Sequence, residues 1–162
     1  MMNPDIEPHP KPAPLTVIVV EKYPIARGAL AALLTYDGYR VYQADSLQTA
    51  FSIIASVRKF SVLLADLDMP EWRSIVRCAL KATDALVIGM EGNHPFSEMY
   101  DLKEHGIQVC LQKPLNYCEL QAAIKNHQGL LCPLNPAGEK SPSDNCHAAS
   151  SERLVILLLP SH

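Results

Sequence analysis

The chain has 162 residues, of which 48% are apolar, and a formal net charge of −3. This length suits one domain with tails, and the slightly acidic balance offers no basic surface of the kind that binds nucleic acid. The longest apolar run, residues 154–159, is far shorter than the roughly 20 residues of a membrane-spanning helix, and the N-terminus shows no signal-peptide pattern. We therefore expect a cytoplasmic protein that binds neither membrane nor nucleic acid directly.

The composition divides the chain into three parts. Residues 1–14 contain five prolines, which predicts a disordered leader. Residues 15–128 carry the regular apolar patterns of one folded domain. Residues 129–162 are rich in Pro and Ser, which predicts a linker or disordered tail. Within that tail, the apolar run 154–159 is compatible with a strand, with docking onto the domain, or with the stub of a second domain.

The domain begins with two units in which an apolar strand precedes a helix. The first strand is "LTVIVV" (15–20), a β-branched run, and Pro24 opens the helix that follows it. The second strand is "RVYQA" (40–44). The pair Asp45 and Gln48 resembles a capping box, which predicts the start of the second helix there.

Three further units complete the pattern. The third strand is "SVLLAD" (61–66), and the helix after it has the clearest apolar stripe, formed by Trp72, Ile75, Val76, Ala79 and Leu80. The fourth strand is "ALVIGM" (85–90), followed by a weaker helix over 95–105. The fifth strand is "IQVCL" (107–111), and Asn116 caps the last helix.

Five strand–helix units in succession indicate an α/β domain. Strands that are continuous apolar runs are typical of a parallel sheet covered on both faces. Right-handed crossovers then favour a doubly wound five-stranded sheet. In such sheets the functional site lies beyond the carboxyl ends of the strands.

Charged side chains stand at the ends of four of these strands. Glu21 and Lys22 follow the first strand, Asp66 ends the third, Glu91 follows the fourth, and Lys113 comes shortly after the fifth. Because the carboxyl ends of neighbouring parallel strands meet at one edge of the sheet, we expect these groups to converge around Asp66.

The strand-end segments resemble the receiver domain of response regulators in two-component signalling. The resemblance covers about residues 15–128 and lies in four stretches: "VIVVEKYPIAR" (17–27), "VLLADLDMP" (62–70), "LVIGMEG" (86–92) and "GIQVCLQKPLNYCEL" (106–120). It implies the flavodoxin-like receiver fold, with a five-stranded parallel sheet in the order 2-1-3-4-5. It also implies a signalling module rather than an enzyme.

The resemblance implies a role for each strand-end residue. Asp66 matches the aspartate that accepts a phosphoryl group from a histidine kinase, and Lys113 matches the lysine that pairs with it, a role that suits a flexible ammonium. Glu21 matches the first residue of the acidic pair that helps to bind Mg²⁺. Asp68 matches the position whose backbone carbonyl coordinates that ion. Pro114, which often follows a cis bond in the family, would fix the loop that carries Lys113.

Ser74 departs from the family's pattern, which usually has a glycine after the acceptor loop, and three further departures bear on phosphorylation. Lys22 stands where the family has its principal Mg²⁺-binding aspartate. Glu91 stands where a Thr or Ser hydroxyl would donate to the phosphoryl group. Cys110 stands where an aromatic side chain swings inward on activation. All three departures touch the chemistry or the readout of phosphorylation.

These departures predict a weak or absent Mg²⁺ site. Mg²⁺ prefers octahedral oxygen ligands, so an ammonium removes a ligand and adds repulsion. One charge contact at about 4 Å near a protein surface is worth about 4 kcal/mol, as much as a millimolar metal affinity. Glu91 would also repel the negative phosphoryl group. The resulting hypothesis is that Lys22 takes the metal's place and bridges Asp66 and Glu91, in a cluster that is poorly phosphorylated.

The expected function is a receiver module of phosphorelay signal transduction that acts through protein–protein contacts. Its partner would be a histidine kinase, another signalling protein, or a second copy of the chain. The alternative is a pseudo-receiver that binds partners without phosphorylation. A flavodoxin-like enzyme would need a Gly-rich phosphate loop after the first strand, which "EKYPIARG" lacks. The 34 residues after residue 128 are too few for a helix-turn-helix DNA-binding domain.

Overall fold

The computed structural model describes residues 12–92, 99–129 and 155–156, which build a central sheet with helices on both faces. Strands and helices alternate along the chain, and their bounds are β1 Thr16–Val20, α1 Pro24–Tyr36, β2 Arg40–Ala44, α2 Leu47–Ser56, β3 Val62–Asp66, α3 Trp72–Ala82, β4 Leu86–Glu91, α4 Met99–Glu104, β5 Val109–Gln112, α5 Tyr117–His127 and β6 Val155–Ile156. None of the helices described is long and apolar enough to cross a membrane.

The sheet has the order β2-β1-β3-β4-β5-β6. Its first five strands pair in parallel, so the predicted order 2-1-3-4-5 is confirmed. A sixth strand, β6, adds to this prediction by pairing antiparallel with β5. The helix predicted over 95–105 is α4 within the described part of the chain, and residues 93–98 lie outside it.

Each face of the sheet has its own apolar core, because successive strand residues point to opposite faces. Along β1, Ile18 and Val20 enter the core under α2 and α3, while Val17 and Val19 enter the core under α1 and α5. The predicted α3 stripe is mostly buried, with Trp72 among its fully packed members. β3 is buried along its whole length, as a central strand of a doubly wound sheet should be.

Two helix caps show how the sequence starts its helices. α2 begins one residue later than the predicted capping box, because the hydroxyl of Ser46, not the carboxylate of Asp45, accepts a hydrogen bond from the Thr49 amide at 3.3 Å. Asp45 instead accepts from the Thr49 hydroxyl at 3.1 Å. The predicted cap of α5 is confirmed, since Asn116 accepts a hydrogen bond from the Cys118 amide at 3.0 Å.

Two glycines should respond in opposite ways to substitution by alanine. Gly28 lies within α1 with open space around it, so Gly28→Ala should stabilise the fold by up to about 1 kcal/mol through helix propensity. Gly106 has a φ of +90° before β5, and an added Cβ would overlap the Leu80 side chain. Gly106→Ala should therefore destabilise by about 1 kcal/mol or more. Urea unfolding of the two variants measures the sign of each change in the free energy of unfolding. Equal changes in the two variants would contradict the backbone strain assigned to Gly106.

Candidate functional site

The carboxyl ends of β1, β3 and β4 meet at one edge of the sheet. Asp66, the last residue of β3, lies opposite Met90 of β4. On the other side of β3, Ala65 lies opposite Val20, so Glu21 follows one step beyond β1 at the level of Asp66. Neighbouring strands therefore bring two carboxylates together, as the strand-end pattern predicts.

The ammonium group of Lys113 joins three carboxylates at this edge. Lys113 Nζ lies 2.7 Å from Asp66 Oδ1, 3.0 Å from Glu21 Oε2 and 3.3 Å from Asp68 Oδ2. A lysine ammonium has three protons to donate, and each has an acidic oxygen within reach. We call these four residues the carboxylate–lysine cluster.

Two acids of the cluster are buried. The side chain of Asp66 is 0% exposed and that of Glu21 is 1% exposed, whereas Lys113 retains 21%. Glu21 Oε1 also accepts a hydrogen bond from the Tyr23 amide at 3.0 Å, and Asp66 Oδ1 accepts one from the Asp68 amide at 3.0 Å. Asp66 Oδ2 is buried and has no hydrogen-bond partner among the described residues. The cost of burying these two carboxylates is offset mainly by Lys113, the cation that pairs with both.

Lys113 is held in place by its backbone and by its charge partners. Its amide donates to the Glu91 carbonyl at 2.7 Å, and its bond to Pro114 is cis, as the family resemblance implies. Burial alone would lower the pKa of Lys113, but hydrogen bonds from the ammonium to Asp66 and Glu21, together with their charges, raise it above its ordinary value of 10.5. Lys113 is therefore a permanent cation at neutral pH.

The structure does not place Lys22 at the centre of the site. Lys22 is exposed and forms no side-chain ion pair with the residues described. Where the chain leaves β1, Glu21 turns inward and Lys22 turns to solvent. The hypothesis that Lys22 bridges Asp66 and Glu91 is wrong: Lys113 is the bridging cation, and it joins Asp66 to Glu21 and Asp68.

Glu91 contacts a different partner from the one predicted. It lies opposite Gln112 in the β4–β5 pair, and its carboxylate hydrogen-bonds the Cys110 thiol. Burial, together with the charge and hydrogen bond of Glu91, raises the pKa of Cys110 to about 12, so the thiol stays protonated. Glu91 and Cys110, the two positions at which the resemblance implies a hydroxyl and an aromatic switch, therefore interact with each other.

Two side chains contribute to the site in ways that were not predicted from the sequence. The resemblance assigns Asp68 only a backbone role, yet its carboxylate joins the cluster and accepts a hydrogen bond from the Gly92 amide at 3.2 Å. A Cβ at Gly92 would lie 2.7 Å from Asp68 Oδ2, so this approach needs glycine. Arg27 donates from Nη1 to the Glu21 carbonyl at 2.9 Å and so ties α1 to the end of β1. The two-residue spacing of Asp66 and Asp68 in the sequence could have predicted the role of the Asp68 carboxylate.

The residues predicted to bind Mg²⁺ are arranged around an ammonium instead. Glu21, Asp66 and Asp68 do lie together, as expected, but their oxygens surround Lys113 Nζ at 2.7 to 3.3 Å. Mg²⁺ requires oxygen ligands at about 2.1 Å in octahedral geometry. Among the described residues no group of three His, Cys, Asp or Glu side chains is arranged to hold a metal ion. In this arrangement the cluster does not fit Mg²⁺.

Comparison with known proteins finds response regulators. No family model matches the chain. The KDP operon transcriptional regulatory protein KdpE of Escherichia coli strain K12 is 28% identical over 123 residues, which cover 72% of this chain and 54% of KdpE. The chain thus spans about half the length of that curated relative.

Two solved structures share the fold. A response regulator receiver protein from Pseudomonas putida superposes with a TM-score of 0.63 and 24% identity, covering 70% of this chain and 98% of that one. A response regulator from Burkholderia pseudomallei with a phosphorylated aspartic acid, a calcium ion and citrate superposes with a TM-score of 0.63 and 22% identity, covering 72% and 70%. The chain is thus similar in sequence to a response regulator, and it shares the fold and strand order of response-regulator receiver domains.

Proposed function

We propose that this receiver domain works in phosphorelay signalling chiefly through protein–protein contacts, and that Asp66 is a poor phosphoryl acceptor. The acceptor position itself is intact, because Asp66 lies at the end of β3 beside Lys113. What differs is the state of the acceptor's surroundings. Lys22 stands where the family has its principal Mg²⁺-binding aspartate, and Glu91 stands where it has a hydroxyl.

One observation carries this proposal: Lys113 Nζ lies within 3.3 Å of three carboxylates, and the Asp66 side chain is fully buried. An attacking carboxylate oxygen must reach the phosphorus atom. Asp66 Oδ1 is bonded to Lys113 and to the Asp68 amide, and Oδ2, which has no partner among the described residues, is buried. A phosphoryl group must also compete with Glu21 and Asp68 for the same ammonium. Each competitor weakens the charge pairing that would stabilise the product.

The residue at the end of β4 is an acid that would repel a phosphoryl group, and it supplies no hydroxyl to bind one. Glu91, at the end of β4, stands where the resemblance implies a hydroxyl, so that hydrogen bond to a phosphoryl group is lost. A phosphoryl group carries about −1.5 to −2 charges at neutral pH, so a neighbouring carboxylate opposes its arrival. Weak Mg²⁺ binding follows from the same arrangement, because the ammonium lies where the acidic oxygens converge.

Helix α1 offers the surface through which a partner can bind. Four of the five large apolar side chains that are exposed in the described residues lie on it or at its N-cap: Tyr23 (60%), Ile25 (87%), Leu33 (43%) and Tyr36 (90%). Arg27 is the single charged residue of α1, and its guanidinium turns to the backbone of Glu21 and Lys22. We therefore expect α1 to bind the partner, whether a histidine kinase, another signalling protein or a second copy.

The alternative is a pseudo-receiver whose partner contacts do not depend on phosphorylation at all. The Glu91–Cys110 hydrogen bond favours it, because the position that would report phosphorylation holds a buried thiol. Beryllofluoride, a mimic of the phosphoryl group, separates the two versions by NMR. Amide shifts around Asp66 and β5 would support a phosphorylatable receiver, and unchanged spectra would support the pseudo-receiver.

Incubation with acetyl phosphate and Mg²⁺ tests the main proposal. We expect no stoichiometric labelling of Asp66, measured by intact-protein mass spectrometry and by a phosphate-affinity gel. Asp66→Asn is the control that defines the background signal. Rapid labelling of the whole sample, absent in Asp66→Asn, would overturn the proposal.

A further inference from the structure

The two outer strands of the five-stranded parallel sheet differ in how their edges are protected. β2 begins with the charged Arg40 and has two exposed positions among its five residues. β5 has the sequence VCLQ, with no charge and no proline, and three of its four residues are buried. Natural sheets protect edge strands with charges, prolines or a covering segment, because an open edge pairs with other chains. By its sequence alone, β5 is an unprotected edge.

The chain covers this edge with its own C-terminal strand. β6 pairs antiparallel with β5, with Ile156 opposite Val109 and Val155 opposite Cys110. The 25 residues between Gly129 and Val155 can span at most about 85 Å, which is enough to reach either edge of the sheet. β-branched residues such as Val155 and Ile156 favour an extended backbone. The apolar run noted in the tail thus has a defined place at β5.

We propose that β6 is a built-in cap, and that displacing it opens the edge of β5 to the β5 strand of a second copy. The pairing covers only two residues, so few hydrogen bonds hold it and a competing strand can replace it. Two uncharged β5 edges can then pair antiparallel about a two-fold axis, which continues one sheet into the other. Tethering to the same chain favours the cap at low protein concentration.

The test uses the full chain with Val155 and Ile156 both replaced by proline. Proline removes the amide donors and disfavours the paired strand. Hydrogen exchange of the β5 amides should become at least about tenfold faster at low concentration, while the β3 amides keep their protection. Sedimentation velocity should show a monomer–dimer equilibrium that the wild type lacks. The matched control is Val155→Ile with Ile156→Val, which should behave as the wild type.

A peptide of residues 151–160 provides a second measurement that does not depend on the wild-type comparison. Added in excess to the proline variant, it should restore β5 protection and suppress the dimer, whereas a scrambled peptide should do neither. Unchanged β5 exchange in the proline variant would overturn the proposal. A variant that exchanges faster but stays monomeric at high concentration would overturn it as well.

Discussion

Lys113→Ala should lower the free energy of unfolding by about 3 kcal/mol, because it leaves two buried acids without their cation. Asp66 and Glu21 are each 1% exposed or less, and both are bonded to Lys113 Nζ. Removing one partner of a buried ion pair is far more harmful than removing the pair together. Urea unfolding at neutral pH measures the loss.

Lys22→Ala is the matched control for this loss. Lys22 lies at the same strand end but is exposed and unpaired among the described residues, so its removal should change stability by no more than about 0.5 kcal/mol. In a Glu21→Gln background the loss caused by Lys113→Ala should shrink by about 1 kcal/mol, since one of the stranded charges is gone. Equal losses for the two lysine variants would show that Lys113 does not hold the cluster.

The pH dependence of this contribution follows from the raised pKa of Lys113. A group whose folded-state pKa is raised contributes stability that is fully present below its unfolded-state pKa, here 10.5. That contribution is lost only as the pH rises through the higher folded-state value. The difference between wild type and Lys113→Ala should therefore persist through neutral pH and shrink in strongly alkaline solution.

The doubly wound parallel sheet was predictable from patterns that are strong in this sequence, whereas its strand order was implied only by the resemblance to receiver domains. The run 16–20 is continuous and β-branched, and its repetition by further apolar runs between helices indicates strands covered on both faces. The convergence of Glu21, Asp66 and Lys113 followed from the rule that parallel strands end at one edge. Finer details such as the cap of α2 depended on a choice between adjacent polar residues, Asp45 and Ser46, which sequence alone does not settle.

The identity of the bridging lysine was not predictable from position along the chain. Lys22 and Lys113 both follow strands, and the direction of a side chain just beyond a strand depends on the first turn of the loop. Arg27 fixes that turn by donating to the carbonyls of Glu21 and Lys22, a contact between residues five and six positions apart. Similarly, the pairing of β6 with β5 depends on a long-range encounter that no local pattern encodes.

Replacing Lys22 by Asp and Glu91 by Thr together should raise the rate of Asp66 labelling by acetyl phosphate about a hundredfold. Glu91→Thr supplies a hydroxyl and removes a like charge. In general a like charge about 4 Å away costs up to about 4 kcal/mol near a protein surface, and removing roughly 3 kcal/mol of such repulsion is worth about a hundredfold in rate. Lys22→Asp adds a carboxylate at the end of β1, beside Glu21. The labelling should require Mg²⁺ and should disappear with a chelator.

The single variants show how much of the gain in labelling rate comes from each of the two substitutions. Because Lys22 is exposed and Lys113 already holds the acids, Glu91→Thr should account for the larger part of the gain. The matched control, Lys22→Ala with Glu91→Gln, removes both charges but adds neither a carboxylate nor a hydroxyl, so it should gain less. If that control gained as much as the Asp and Thr pair, net charge alone would limit the reaction. If neither pair raised the labelling rate, the burial of Asp66 and its pairing with Lys113 would themselves limit the reaction. Only a variant that weakens the contacts of Lys113 with the acids, such as Asp68→Asn, should then raise the rate.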